Sequence, residues 1–193
     1  IDKLPEYVEK YEAKEVNEAF LAQLICDGNI VGVMRGNSEV GARALGNRSI
    51  LCDPSFPGMK DKLNTLKSRE FFRPFAPICT LECAKNVFDC RGENQYMSYA
   101  PLVKTKYRKI YPAITHEDFT ARLQTVTKDQ NEFIYSLLQH CEEQGKAVLL
   151  NTSFNIKGNP ILTTIEDALH VLETTSLGYV YIEGYLFQKK KDG

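Results

Sequence analysis

Four short stretches hold the groups that could do chemistry, and all four are built largely from Arg, Lys, Ser, Thr and Asn. The densest reads Gly41-Ala42-Arg43-Ala44-Leu45-Gly46-Asn47-Arg48-Ser49. Small residues let a backbone approach a ligand closely, and the guanidinium forks of Arg43 and Arg48 match phosphate oxygens. The stretch is not a Walker A loop, since no Lys-Ser/Thr follows the second glycine. A solvated loop with two surface arginines fits the same residues. Lys67-Ser68-Arg69 comes next, with Arg73 close behind. Residues two apart diverge on a helix but share a face in an extended segment. The pair therefore reaches one pocket if the backbone is extended here; the other reading is a basic helix end complementing the macrodipole.

The third stretch runs Leu149-Leu150-Asn151-Thr152-Ser153-Phe154-Asn155, then Gly158-Asn159-Pro160. An apolar strand that emerges into small polar residues is a common way for an α/β sheet to build a site at its carboxyl edge. Alternation turns Ser153 and Asn155 to one side and Phe154 to the core. A capped turn entering the next helix is the alternative. In the fourth stretch, Thr120 to Val126, alternation places Arg122, Gln124 and Val126 on one strand face.

This donor set binds phosphate and stabilises developing negative charge without supplying a nucleophile. His116, His140 and His170 make no paired-ligand spacing, and only His116, beside Glu117-Asp118, is weighed as a substrate contact. The six cysteines form no CxxC pair, so no metal site is assigned, and they read as buried thiols in a reducing cytoplasm. With 24 basic and 25 acidic residues, no protein-wide field draws the chain onto nucleic acid or membrane. No apolar run reaches the roughly 18 residues a membrane span needs. Ile1 in place of Met reads as the start of a fragment of a longer protein.

Positioning these groups requires an alternation of helices and strands. Periodicity predicts an amphipathic helix over 5–27 with Val16, Phe20 and Leu24 on its apolar face, and a buried strand over 30–34. A strand over 49–52 and a helix from Met59 (Met59, Leu63, Leu66) follow. Then come a strand over 78–81, a stretch without clear period over 87–114, and a strand over 122–126. A helix over 131–143, a strand over 147–150, a helix over 164–173 and a hairpin around Glu183-Gly184 complete the chain. The class is α/β with a mixed sheet, in one domain.

Taken in order, the four stretches resemble the C-terminal domain of the carbamoyltransferase family that includes the nodulation protein NodU and antibiotic O-carbamoyltransferases. The resemblance rests on Gly41 to Leu51, Lys67 to Pro77, Thr120 to Val126, and Leu150 to Asn155 with Gly158 and Pro160. That family domain is similar to YrdC-like domains, marked by a Lys-x-Arg and a Ser-x-Asn pair, here Lys67 with Arg69 and Ser153 with Asn155. The resemblance implies a twisted mixed β-sheet flanked by helices around a positively lined cavity, with a leading helix over 1–28 and a YrdC-like core over 30–188. It also implies that both pairs are extended.

The function so implied is binding of ATP, with Mg²⁺, and carbamoyl phosphate, and formation of carbamoyl-adenylate. Lys67, Arg69, Ser153 and Asn155 would be the catalytic set. Arg43, Arg48, Arg73, Arg122 and Thr152 would hold substrate and nucleotide. Transfer to an acceptor hydroxyl would belong to an N-terminal domain of actin-like fold that this chain lacks. Two departures stand out: Phe119 replaces a Gly usual before Thr-Ala-Arg, setting a bulky ring beside Arg122, and Ala42 replaces a usual Pro. The competing readings are a YrdC-like factor making threonylcarbamoyl-adenylate for tRNA, and a silent docking module.

Overall fold

The computed structural model describes residues 3–39, 43–70, 75–156 and 159–189. Eight strands form one mixed sheet in the order β1-β8-β7-β2-β3-β6-β4-β5. The central strands are β2 (Val31–Met34), β3 (Arg48–Cys52), β6 (Leu149–Ser153) and β4 (Ala76–Thr80). β6 runs antiparallel to both β3 and β4, with Leu51 opposite Asn151 on one side and Ala76 on the other. β5 (Gln124–Val126) pairs parallel to β4, and β7 (Tyr179–Ile182) parallel to β2.

The strands alternate between two apolar clusters, as a sheet covered on both faces requires. Met34, Ile50, Leu150, Phe154 and Val180 join one cluster with α3 (Met59–Leu66) and α7 (Ile165–Thr174). Val31, Val33, Leu51, Ile78 and Leu149 join the other with α2 (Glu18–Cys26) and α6 (Glu132–Glu143). Gly32 has a packing reason: a Cβ there would sit 2.5 Å from the Phe154 ring. None of the described helices is long and apolar enough to cross a membrane.

The first 28 residues differ from the single helix expected. α1 (Leu4–Tyr11) stops at Glu12, whose φ of 53° is left-handed. Lys14 and Glu15 then form β1 on the edge strand β8 (Tyr185–Gln188), and Asn17 caps α2 by accepting from the Phe20 amide. The apolar face of α2 is Leu21, Ala22 and Ile25, while Phe20 is 52% exposed. Periodicity counted through the break had rotated that face. The expected strand over 78–81 ends one residue early because Thr80 caps α4 (Leu81–Val87), a helix hidden by its short length. Across 87–114 the chain makes isolated bridges and the single-turn α5 (Thr105–Arg108), which explains the absent period.

Candidate functional site

On β6 one face changes character along its length. Leu149 packs beneath α6, whereas Asn151 and Ser153, on the same face two and four residues later, meet the loop before β3. A cavity of about 300 Å³ opens there. Arg43 and Ala44 line it from the loop, Arg69 from beyond α3, and Phe75 and Ala76 from the start of β4. Met97, His116 and Arg122 close a further wall, and Asn151, Thr152 and Ser153 form its β6 side. Its described lining thus carries three guanidinium groups and no carboxylate. A larger groove, about 820 Å³ between the end of α3 and α7, has no Arg or Lys among its described walls.

Lys67 and Arg69 reach this region by a route other than the extended one expected. Lys67 still donates its amide to Leu63 O at 2.9 Å and caps α3 in helical conformation. Ser68 then turns left-handed, with φ 51°, and the Arg69 amide bonds Asn64 O at 3.1 Å. One strained residue therefore does what an extended strand would have done, bringing both cations to the end of β6. The Arg69 guanidinium stacks 3.8 Å from the Phe75 ring centre, and its Nε donates to Asn64 Oδ1 at 2.8 Å.

Lys67 is only 6% exposed and stands behind the cavity wall rather than in it. Its Nζ donates to Ser153 O (2.6 Å), Asn155 O (2.9 Å) and Asn155 Oδ1 (2.5 Å). Ser153 Oγ donates to the same Asn155 Oδ1 at 2.8 Å, and Asn155 Nδ2 to Asn159 O at 2.9 Å. Lys67 thus fixes Ser153 and Asn155 together, and Phe154 between them is fully buried. Burial, and then the charge of Arg69, bring the Lys67 ammonium down to about 7. An anion bound nearby would favour the charged form again.

The glycine-studded loop is held by a carboxylate as well as by the sheet. Glu39, unnoticed in the sequence, takes its amides: Oε1 accepts from Leu45 N (2.7 Å) and Asn47 N (2.9 Å), and Oε2 from Arg48 N (3.2 Å). Arg48 points away from the cavity and is 4% exposed. Its Nη1 donates to Arg35 O and Asn47 O at 2.7 and 2.8 Å, and its Nη2 to Gly36 O at 3.1 Å. Arg48, expected with Arg43 among the phosphate-binding residues, does not line this cavity: strand pairing with Met34 turns its side chain into the loop, leaving Arg43 there. Gly46 lets the loop lie against α6, since a Cβ there would stand 2.7 Å from Ile134 Cγ1.

Two amides lock this loop to the sheet. Asn151 Nδ2 donates to Ala44 O at 3.0 Å and to Gln124 Oε1 at 2.7 Å, and Gln124 Nε2 donates to Leu45 O at 2.9 Å. Buried Asn94 shapes the turn that presents Met97, donating to Tyr99 O and Leu123 O, both at 2.8 Å. Met97 itself is left-handed, with φ 55°. Strained positions at Ser68 and Met97, either side of the cavity, fit a site that over-determines its backbone.

Of the candidate residues, the structure brings Arg43, Arg69, Arg122, Thr152 and Ser153 to the cavity and sets Lys67 and Asn155 directly behind Ser153. Arg122 lies just before β5 rather than within it. Arg73, like Gly41, Ala42 and Gly158, lies outside the described residues. Phe119 does not crowd Arg122: it adopts φ 65°, a conformation natural to the usual Gly, and its ring turns out beneath the Arg108 guanidinium at 4.0 Å. His116 joins the cavity with its Nδ1 3.2 Å from Thr120 Oγ1. Burial pulls it below the usual histidine range, Asp118 opposes this and Arg122 adds to it, so it is mainly neutral at pH 7. Gln124, read from the sequence as sharing a strand face with Arg122, spends its amide on Leu45 O and Asn151. Asn151 and Met97 were not singled out, and a polar residue inside an apolar strand was the available signal for Asn151.

Comparison with known proteins gives the chain a family. The chain matches the family model described as carbamoyltransferase C-terminus over residues 22–189. It is 40% identical over 174 residues to the nodulation protein NolNO of Sinorhizobium fredii, covering 88% of this chain and 26% of that protein. It is 36% identical over 165 residues to a 3'-hydroxymethylcephem-O-carbamoyltransferase of Streptomyces clavuligerus, covering 85% and 31%. The chain therefore spans about a quarter to a third of these relatives. Among solved structures it resembles full-length HypF in its phosphate- and nucleotide-bound form, with TM-score 0.57, 17% identity and coverage of 83% and 21%. It also resembles P. abyssi Sua5 complexed with L-threonine, with TM-score 0.53, 11% identity and coverage of 91% and 49%. These two share the YrdC-like fold. By sequence, the chain belongs to the carbamoyltransferase C-terminus family, whose domain it shares with nodulation protein U and an O-carbamoyltransferase.

Proposed function

We propose that the cavity at the end of β6 binds ATP and carbamoyl phosphate and forms carbamoyl-adenylate. The observation that carries this reading is the convergence of Arg43, Arg69 and Arg122 on Ser153, with no carboxylate in the described lining, in a chain of this family. Water cleaves carbamoyl phosphate to carbamate and inorganic phosphate. A carbamate oxygen then attacks the α-phosphorus of ATP, forming the mixed anhydride as pyrophosphate leaves. The guanidinium groups neutralise charge on the phosphoryl oxygens, and each charge-assisted bond contributes about 1.5–3 kcal/mol. Ser153 Oγ, oriented through Asn155 and Lys67, positions the carbamoyl or α-phosphoryl group. Arg73 is proposed as a further phosphate contact.

Mg²⁺ would travel with the nucleotide's own phosphate oxygens. The described cavity walls offer it no carboxylate, and no group of three His, Cys, Asp or Glu among the described residues is placed to hold a metal, so no step is assigned to protein-bound Mg²⁺. Handing the carbamoyl group to an acceptor hydroxyl is proposed for a separate N-terminal domain of actin-like fold, in keeping with relatives about three times as long. The proposed setting is the cytoplasm, which suits six free thiols.

Calorimetric titration of the 193-residue chain with ATP and with carbamoyl phosphate tests the assignment of the cavity. Both should bind, and Arg122→Ala should weaken both by tenfold or more. Equal affinities in the two proteins would move the site elsewhere.

A further inference from the structure

The described cavity wall holds a buried acceptor without a hydrogen bond. Asn151 is 2% exposed, and its Oδ1 is buried without a hydrogen bond. The amide cannot be reversed to cure this. Nδ2 already donates to Ala44 O and Gln124 Oε1, and Gln124 is held in its own orientation by donating to Leu45 O. Rotating Asn151 would set oxygen against two oxygens. A buried acceptor left alone costs free energy, and such orphans call for an explanation. Its residue lies on the same β6 face as Ser153 and lines a cavity whose charged groups are all donors.

We infer that Asn151 Oδ1 accepts a hydrogen bond from the carbamoyl NH₂ of the substrate and so sets its selectivity for a carbamoyl group over an acyl group lacking N–H. The inference rests on the proposed reading of the cavity as a carbamoyl phosphate site, and it adds the feature that reading leaves open. Three arginines recognise an anion without reporting what it carries. The ligand must also present an N–H close to its phosphate, because Asn151 and the guanidinium groups line the same cavity of about 300 Å³. Carbamoyl phosphate has this arrangement, one bridging anhydride oxygen separating phosphorus from the carbamoyl carbon. The adenine amine lies at the opposite end of the nucleotide from its phosphates. Asn151 is thus a specificity residue, and its Nδ2, by holding Ala44 and Gln124, keeps the acceptor aimed.

The test uses two stable phosphonates of equal shape: phosphonoacetamide, which ends in NH₂, and acetonylphosphonate, which ends in CH₃. Wild-type chain should bind phosphonoacetamide at least about tenfold more tightly, since a site built to pair an N–H rejects the analogue lacking it. In Asn151→Leu the preference between the two phosphonates should fall to near one, whatever the change in their common affinity, while circular dichroism shows a folded chain. Equal binding of the two phosphonates by wild type, with both lost in Arg122→Ala, overturns this inference and leaves the phosphate-site reading intact. A preference that survives in folded Asn151→Leu overturns it as well. If neither phosphonate nor phosphate binds in an Arg122-dependent way, the underlying reading fails too. Should Asn151→Leu not fold, the wild-type comparison decides alone.

Discussion

Lys67 offers a prediction whose size follows from its surroundings. Its ammonium is held near the end of β6 by carbonyl and amide oxygens, yet burial and Arg69 bring its pKa from 10.5 to about 7. The folded chain therefore releases this proton near pH 7 and the unfolded chain only near pH 10.5. Between these limits the unfolded state binds more protons, so the contribution to stability grows as pH rises and is lost as pH falls through about 7. The slope approaches about 1.4 kcal/mol per pH unit, giving a gain of about 2 kcal/mol between pH ~7 and pH ~9. Urea unfolding of wild type and Lys67→Met across this range isolates the group, because the other titrations cancel in the difference. The wild-type curve should rise relative to the variant above pH ~7 and run parallel below pH ~6. A difference that is flat, or that falls with pH, would refute the claim that Lys67 is a desolvated cation poised to regain its charge when an anion binds.

Other residues give contrasting outcomes. Arg48→Ala should lower unfolding free energy by about 2–4 kcal/mol, because three carbonyls lose a charged donor, and should leave ATP affinity of the folded chain unchanged; a tenfold loss of affinity would return Arg48 to the ligand site. Gly46→Ala should cost about 1–3 kcal/mol by urea unfolding, since φ is 124° and the new methyl meets Ile134; a neutral result would mean that the loop does not rest on α6 as described. Arg122→Ala, at an exposed position, should change unfolding free energy by less than about 1 kcal/mol while lowering ATP affinity tenfold or more; a large loss of stability with intact binding would make Arg122 structural.

How far the sequence reached depended on whether a feature was local. Buried strands such as β2 and β3 show as short apolar runs, and α6 shows its period through Phe133, Leu137 and Cys141. The break at Glu12 was illegible because a left-handed glutamate has no signature, and α1, β1 and α2 read as one amphipathic helix. The same limit applies at the site. Arg43, Arg69, Arg122 and Ser153 are recognisable by type and spacing, whereas the direction of Arg48 is set by its strand partner Met34. Ser68 defeated the choice between helix and strand by being neither. Glu39, Gln124 and Asn151 matter only through contacts up to 107 residues away in sequence, which no local pattern records.

The central claim, adenylate formation in the cavity at the end of β6, is tested most directly by exchange of labelled pyrophosphate into ATP. The account predicts exchange that requires carbamoyl phosphate and that is lost in both Ser153→Ala and Arg122→Ala. Exchange that persists in both variants, or no exchange from a chain that binds ATP and carbamoyl phosphate together, would contradict it.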